Sequence, residues 1–162
     1  MQYKPKHNKF RKKTEEMTSE TRRLIDKAVE GIQDKKGRDI TIIDLSEIDG
    51  CITKAFVICE GGSPSQIEAI YDSVSDKMRL DLQEKPVRTA GLENCIWVAM
   101  DYVDIMVHIF LPDARDHYNL EHLWADAPTE EIPNLDWKPP HSCGRHVRHV
   151  SIITKKYFYG RT

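Results

Sequence analysis

A chain of 162 residues, 40% hydrophobic and 31% charged, is long enough for one domain with a real core, with room for tails. Its net charge of −2 hides a segregation. Residues 1–13 and 137–162 each carry six Lys/Arg and no acid, while residues 14–136 hold all 26 Asp/Glu against 12 Lys/Arg, a net of −14. An acidic body disfavours duplex nucleic acid and favours a basic partner; the basic ends suit nucleic acid or stand as solvated tails.

The four cysteines, Cys51, Cys59, Cys95 and Cys143, show no Cys-x-x-Cys spacing, and three lie in or beside apolar runs. That is the usage of buried, reduced thiols in a cytoplasmic protein rather than of a disulfide framework. No apolar run reaches membrane-spanning length, and the basic N-terminus has no hydrophobic segment after it, so the expectation is a soluble protein that is not exported.

In chain order, residues 1–18 read as a basic flexible segment. Thr18 or Ser19 caps a helix in which Leu24, Ile25, Ala28, Val29 and Ile32 keep helical spacing, and Gly37 stops it. Asp39 to Leu45 reads as a strand, Ser46 to Lys54 as a short connection with room for one helical turn, and Ala55 to Glu60 as a strand apolar enough to be central. Gly61-Gly62 breaks that strand. Ser63-Pro64 then opens a helix with apolar Ile67, Ile70, Tyr71, Val74 and Met78, extending to Leu82. Lys85 to Ala90 is a short strand that Pro86 assigns to an edge. After the hairpin described next, Asp113 caps a short helix carrying Tyr118, Leu120, Leu123 and Trp124, and Ala127-Pro128 closes the globular part. Prolines 133, 139 and 140 put the domain boundary near Asp136, giving a domain over 19–136 and a basic Pro/His-containing tail over 137–162.

The stretch from Cys95 to Phe110 has two β-rich runs around a polar break, the pattern of a hairpin. With Tyr102 and Val103 as a two-residue loop, Asp101 pairs with Asp104, Ala99 with Met106 and Trp97 with His108. Val98, Met100, Ile105, Val107 and Ile109 then share a core face, and Trp97, Ala99, Asp101, Asp104, Met106 and His108 share the other. Like charges opposite one another cost stability. The second face is therefore either a docking face, or one covered by a helix with the acids solvating its end. Val103 is an awkward loop residue, because tight loops ask for positive φ and a β-branched side chain resists it.

Enzymatic chemistry is thinly represented. Gly61-Gly62-Ser63 before a helix could offer N–H groups to a phosphate, yet no P-loop Lys follows. A metal-dependent nucleotidyltransferase-like enzyme is the alternative reading, but Asp101 and Asp104 lie across a turn rather than alternating on one strand. His141, Cys143, His146 and His149 fit no standard zinc spacing. His108 has no nucleophile placed for it by sequence. No cofactor and no metal are expected.

Four segments together carry a family resemblance: Asp39 to Asp44; Ala55 to Ser63 with Gln66, Ala69 and Ile70; Trp97 to Asp104 with Val107 to Phe110; and Arg115 to Pro128. Over about residues 20–128 the chain resembles the ribosomal silencing factor family, also called RsfS or Iojap. The resemblance implies an α/β fold: a mixed sheet of about five strands flanked by helices, nucleotidyltransferase-like without catalytic residues. It implies a non-enzymatic role as well. Members bind the large ribosomal subunit at its subunit-joining face, on the fourteenth large-subunit protein. They block joining of the small subunit and repress translation when nutrients are short; organellar members also serve assembly, and members self-associate.

Carried over residue by residue, Trp97, Asp101, Tyr102 and Asp104 match one family motif and its usual place for partner contacts; Arg115, Tyr118, Leu120 and Trp124 match a second. With Met106 and His108 on the same hairpin face, the expected partner-binding set is Trp97, Asp101, Tyr102, Asp104, Met106, His108, Arg115 and Tyr118, with the basic tails reaching ribosomal RNA. The chain departs from the family's usual Gly at 103, Asp-Tyr at 54 and 55, and Glu at 90, where it has Val103, Lys54-Ala55 and Ala90.

Overall fold

The apolar stripe of the first helix fixes one layer of the molecule. In a computed structural model that describes residues 17–135, helix α1 (Ser19–Asp34) buries Leu24, Ile25, Ala28, Val29 and Ile32. Thr18 caps it, its hydroxyl accepting from the Thr21 N–H at 3.2 Å. At the other end Lys36, not Gly37, takes the left-handed conformation (φ 57°), and Gly37 N–H reaches back to Ile32 O at 3.0 Å. Gly37 serves by lacking bulk, since a Cβ there would run into the Ile32 side chain.

Among the described residues six strands form one sheet: β1 (Arg38–Asp44), β2 (Ala55–Glu60), β3 (Arg88–Ala90), β4 (Trp97–Asp101), β5 (Ile105–Phe110) and β6 (Thr129–Ile132). Their order is β3-β4-β5-β2-β1-β6, with β2 and β5 parallel and every other pair antiparallel. The mixed sheet flanked by helices is the expected architecture with one strand more. Ala127-Pro128 does not close the domain; β6 follows and pairs with β1, Ile40 opposite Ile132. The segment from Ser46 to Lys54 holds turns and no helix, and β3 is short and at an edge.

Helix α2 (Pro64–Lys77) crosses between β2 and the hairpin and continues as a π-helical turn over Met78–Leu82. With α1 it covers one face of the sheet, where Val57, Val98, Met100, Ile105, Val107 and Ile109 are buried. A smaller core forms on the opposite face around Ile43, Ile58, Phe110 and Ala114, under helices α3 (Pro112–Tyr118) and α4 (Leu120–Leu123). The single short helix expected here is broken in two by Asn119, left-handed at φ 43°, whose side chain then caps α4.

Candidate partner-binding face

The hairpin sorts its faces as expected but in a different register. Trp97 lies opposite Phe110, Ala99 opposite His108 and Asp101 opposite Met106. Tyr102 N–H bonds Ile105 O at 2.9 Å, so Val103 and Asp104 are the loop, not Tyr102 and Val103. The shift draws Tyr102 into the ladder on the α1/α2 side, where its ring is buried, and it removes the opposed Asp101–Asp104 pair that would have cost stability. Because the slip is two residues, side-chain alternation is unchanged.

On the second face the covering helices stop short. α3 and α4 pack over β5, β2 and β1, whereas Trp97, Ala99, Asp101 and Met106 stay partly exposed toward β3. Ala90 and Ala99 pair directly, so two small side chains sit side by side on this strip. Beside it runs a row of aromatic rings. Trp97 stacks on Phe110 (centroids 4.9 Å, 19°) and meets Tyr118 at 4.7 Å; Phe56 stands edge-on to His108 at 4.9 Å and to Trp124 at 5.8 Å. Tyr118 is half exposed, and Leu123 beyond it is largely exposed. Asp101 ends β4 at the hairpin tip, near Asp104, and helices α3 and α4 carry Asp113, Asp116 and Glu121, the last of them paired with Arg115.

Of the eight expected contact residues, Trp97, Asp101, Asp104, Met106 and Tyr118 reach the surface. Three do not present themselves there. His108 is 4% exposed. Its Nδ1 accepts the Trp97 indole N–H at 3.2 Å, and since indole can only donate, the imidazole proton sits on Nε2. That Nε2 finds no hydrogen-bond partner among the described residues, and burial pulls the His108 pKa down to about 4, so the ring is neutral. Tyr102 is 5% exposed on the other side of the sheet, and burial raises its hydroxyl pKa.

Arg115 is the third. Its side chain is 11% exposed and fully occupied. Nη1 donates to Asp39 O at 2.6 Å and to Glu60 Oε1 at 3.3 Å, Nη2 to the buried Thr41 hydroxyl at 3.0 Å, and Nε to Glu121 Oε1 at 2.8 Å. A β-bulge in β1, with Asp39 left-handed at φ 49°, accompanies the Asp39 contact. Arg115 therefore fastens α3 and α4 to the sheet instead of offering its guanidinium outward. Asp104 is partly exposed and paired, with Lys54 Nζ at 3.2 Å.

The other candidate chemistries resolve as chain geometry. Gly62 N–H is taken by Gln66 Oε1 at 2.8 Å, Gln66 N–H by Ser63 Oγ at 3.2 Å, and the Gln66 amide ties back to Lys35 O and Lys36 O. The glycine junction thus satisfies itself in a helix cap. A Cβ at Gly61 would crowd the Ile67 side chain, which is reason enough for glycine there. Among the described residues no three His, Cys, Asp or Glu converge as a metal site. The His141, Cys143, His146 and His149 cluster and both basic tails lie outside the described residues. Burial raises the Cys59 thiol pKa strongly, which keeps it protonated.

Sequence reading passed over Phe56, Phe110 and Ala90 as parts of this face. The parallel register of β2 on β5, Phe56 beside Met106, puts Phe56 there, and only the sheet order could reveal it.

Comparison with known proteins gives concordant matches. A family model described as "Ribosomal silencing factor during starvation" matches residues 18–149. A ribosomal silencing factor of Halalkalibacterium halodurans is 36% identical over 115 residues, spanning 69% of this chain and 94% of its own. One of Bacillus subtilis is 35% identical over 106 residues, with 65% and 87% covered. A mouse relative named "Mitochondrial assembly of ribosomal large subunit protein 1" is 29% identical over 102 residues, 62% of this chain and 44% of its own. Among solved structures, a Chromobacterium violaceum protein superposes with a TM-score of 0.61 at 29% identity, covering 76% of this chain and 93% of that one. No helix among the described residues is long and apolar enough to cross a membrane.

Proposed function

The chain belongs to the ribosomal silencing factor family, and from that premise we propose that it binds the large ribosomal subunit at its subunit-joining face, on the fourteenth large-subunit protein, and so keeps the small subunit from joining. The family is one of regulators rather than enzymes. The observation that carries the reading is the uncovered strip on β4 and β5. There a partly buried Trp97, backed by Phe110 and flanked by Tyr118, lies on the strand that ends in Asp101, on a body with a large acidic excess. A fixed aromatic anchor supplies affinity, and surrounding negative charge steers and orients a basic ribosomal protein. Asp101 and Asp104 stand at the end of the strip, where Lys or Arg side chains of the partner would meet them. A part in large-subunit assembly, which the mouse relative's name states for that protein, would use the same attachment.

The test is sedimentation of separated ribosomal subunits with the purified protein under joining conditions. Co-migration with the large subunit and loss of the joined peak are expected. Normal joining with the protein left at the top of the gradient overturns the proposal. Residues 14–136 are expected to suffice; loss of association on removing the basic ends would instead assign binding to RNA contacts.

A further inference from the structure

The uncovered strip and the point where the chain leaves the sheet lie at the same end of the molecule. Trp97 pairs with Phe110, Phe110 with Glu60 and Glu60 with Arg38, so one register line crosses β4, β5, β2 and β1. The chain departs at the far side of that line. After β6, Asn134 holds Asp39 at two points, its Oδ1 accepting the Asp39 N–H at 2.8 Å and its Nδ2 donating to Asp39 Oδ1 at 3.0 Å. From there to Trp97 is four strand spacings, about 19 Å at roughly 4.8 Å each.

Carboxylates mark the way across. Asp39 and Asp116 lie near enough to Glu60 to add to the rise that burial gives its pKa, with Arg115 opposing them. Asp113 and Asp116 are exposed on α3, the helix that brings Tyr118 to Trp97, and Asp101 closes the strip at the hairpin tip. Beyond Asp136 the sequence changes sign. Residues 137–162 carry six Lys/Arg and no acid, and Val147, Val150, Ile152 and Ile153 stand among them.

We propose that this basic segment folds back over α3 and seats on the strip of Ala90, Trp97, Ala99 and Met106, so that the chain covers its own partner-binding face until the ribosome displaces it. About ten extended residues span roughly 33 Å, enough to carry the chain from Leu135 over α3 to Trp97. The apolar residues of the segment then meet the sheet where the paired Ala90 and Ala99 leave room, and its Lys and Arg meet the carboxylates of α3 and the hairpin tip. A short tether makes even a weak contact count, because the local concentration of the segment at the strip is high. The competition with the ribosome rests on the ribosome-binding reading above; the contact itself does not.

The experiment places a nitroxide on Cys143 of the full chain, with Cys51→Ser and with Cys59 and Cys95 protected by burial. At low salt the amide signals of Ala90, Trp97, Ala99 and Met106 should broaden, and high salt should restore them. Unbroadened signals on the strip overturn the contact. Broadening in a mixture where the nitroxide and the observed nuclei sit on different chains overturns it in favour of a second copy. In binding to isolated large subunits, the full chain with Arg145→Gln, Arg148→Gln, Lys155→Gln and Lys156→Gln should bind about threefold or more tighter, since only the uncovered fraction binds. Equal or weaker binding overturns the competition, and weaker binding makes the segment a contact to ribosomal RNA. A parent that shows the broadening yet fails to bind large subunits overturns the ribosome-binding reading and leaves the contact standing.

Discussion

Trp97 donates its indole N–H to His108 Nδ1 at 3.2 Å, so a buried neutral imidazole sets the orientation of the partly buried ring at the centre of the candidate face. The bond exists only while Nδ1 is bare of a proton. Protonating His108 would charge a buried ring whose other nitrogen has no partner among the described residues, and would turn the acceptor into a second donor.

A pH dependence follows with a definite sign. Burial holds the folded-state pKa near 4, against 6.5 for an unperturbed histidine. Between those values the unfolded chain binds the extra proton. This contribution is therefore whole above about pH 6.5 and declines as pH falls toward 4, by about 3 kcal/mol in all. Denaturant unfolding at pH 7.5 and pH 5 should show the loss, with a change in Trp fluorescence. His108→Leu should remove that slope; an unaltered slope would assign it elsewhere.

Trp97→Ala should cost about 2 kcal/mol or more of large-subunit binding, roughly 30-fold. Because Trp97 also stacks on Phe110, folding of the variant must be checked by circular dichroism. Trp97→Phe keeps an aromatic ring and should lose much less. A folded Trp97→Ala variant that bound like the parent would place the interface on another face.

Arg115→Met should lower stability by about 3 kcal/mol, because Glu60 is left half-buried without its counter-charge and the Asp39 carbonyl and Thr41 hydroxyl lose their donor. Arg115→Lys should recover only part of this, since one ammonium cannot serve the four acceptors that the planar guanidinium reaches. Thermal melts compare the three proteins. If Arg115→Met melts like the parent but fails to bind the large subunit, the residue is a contact after all.

Gly91→Ala tests the frame of the open strip. Gly91 has φ +89°, and a Cβ there would fall on the Trp97 carbonyl. Since the obstruction is backbone, the expected cost is about 3 kcal/mol or more, with β3 released from β4. Hydrogen exchange at Arg88 to Ala90 should report that release.

The elements with unbroken periodicity were readable in the sequence: the α1 stripe, the apolar β2, the capped α2, and the alternation that sends Val98, Met100, Ile105 and Val107 to one core. What escaped were features set by distant partners. β6 is a four-residue strand with two adjacent acids that exists because β1 offers it an edge. The hairpin register turned on whether Tyr102 preferred the loop or the buried ladder, and burial of its ring decided that against the comfort of Val103. Of the expected contact residues Trp97 keeps a partly exposed place on the second face, whereas His108 and Arg115 lie buried or bound to the sheet. Sequence alternation gives the side of a sheet, but it does not say which part of that side a helix will cover.

β6 has a consequence for the order in which the molecule is completed. Arg22 in α1 makes a two-point pair with Glu130, 108 positions later, at 2.8 and 3.2 Å, and Ile40 waits for Ile132. A chain emerging from its own ribosome thus carries the outer edge of β1 unpaired until β6 has been translated. During that interval the bare edge can template a foreign strand. Two adjacent glutamates on the strand that finally caps it then leave the finished edge charged, so the hazard ends with synthesis.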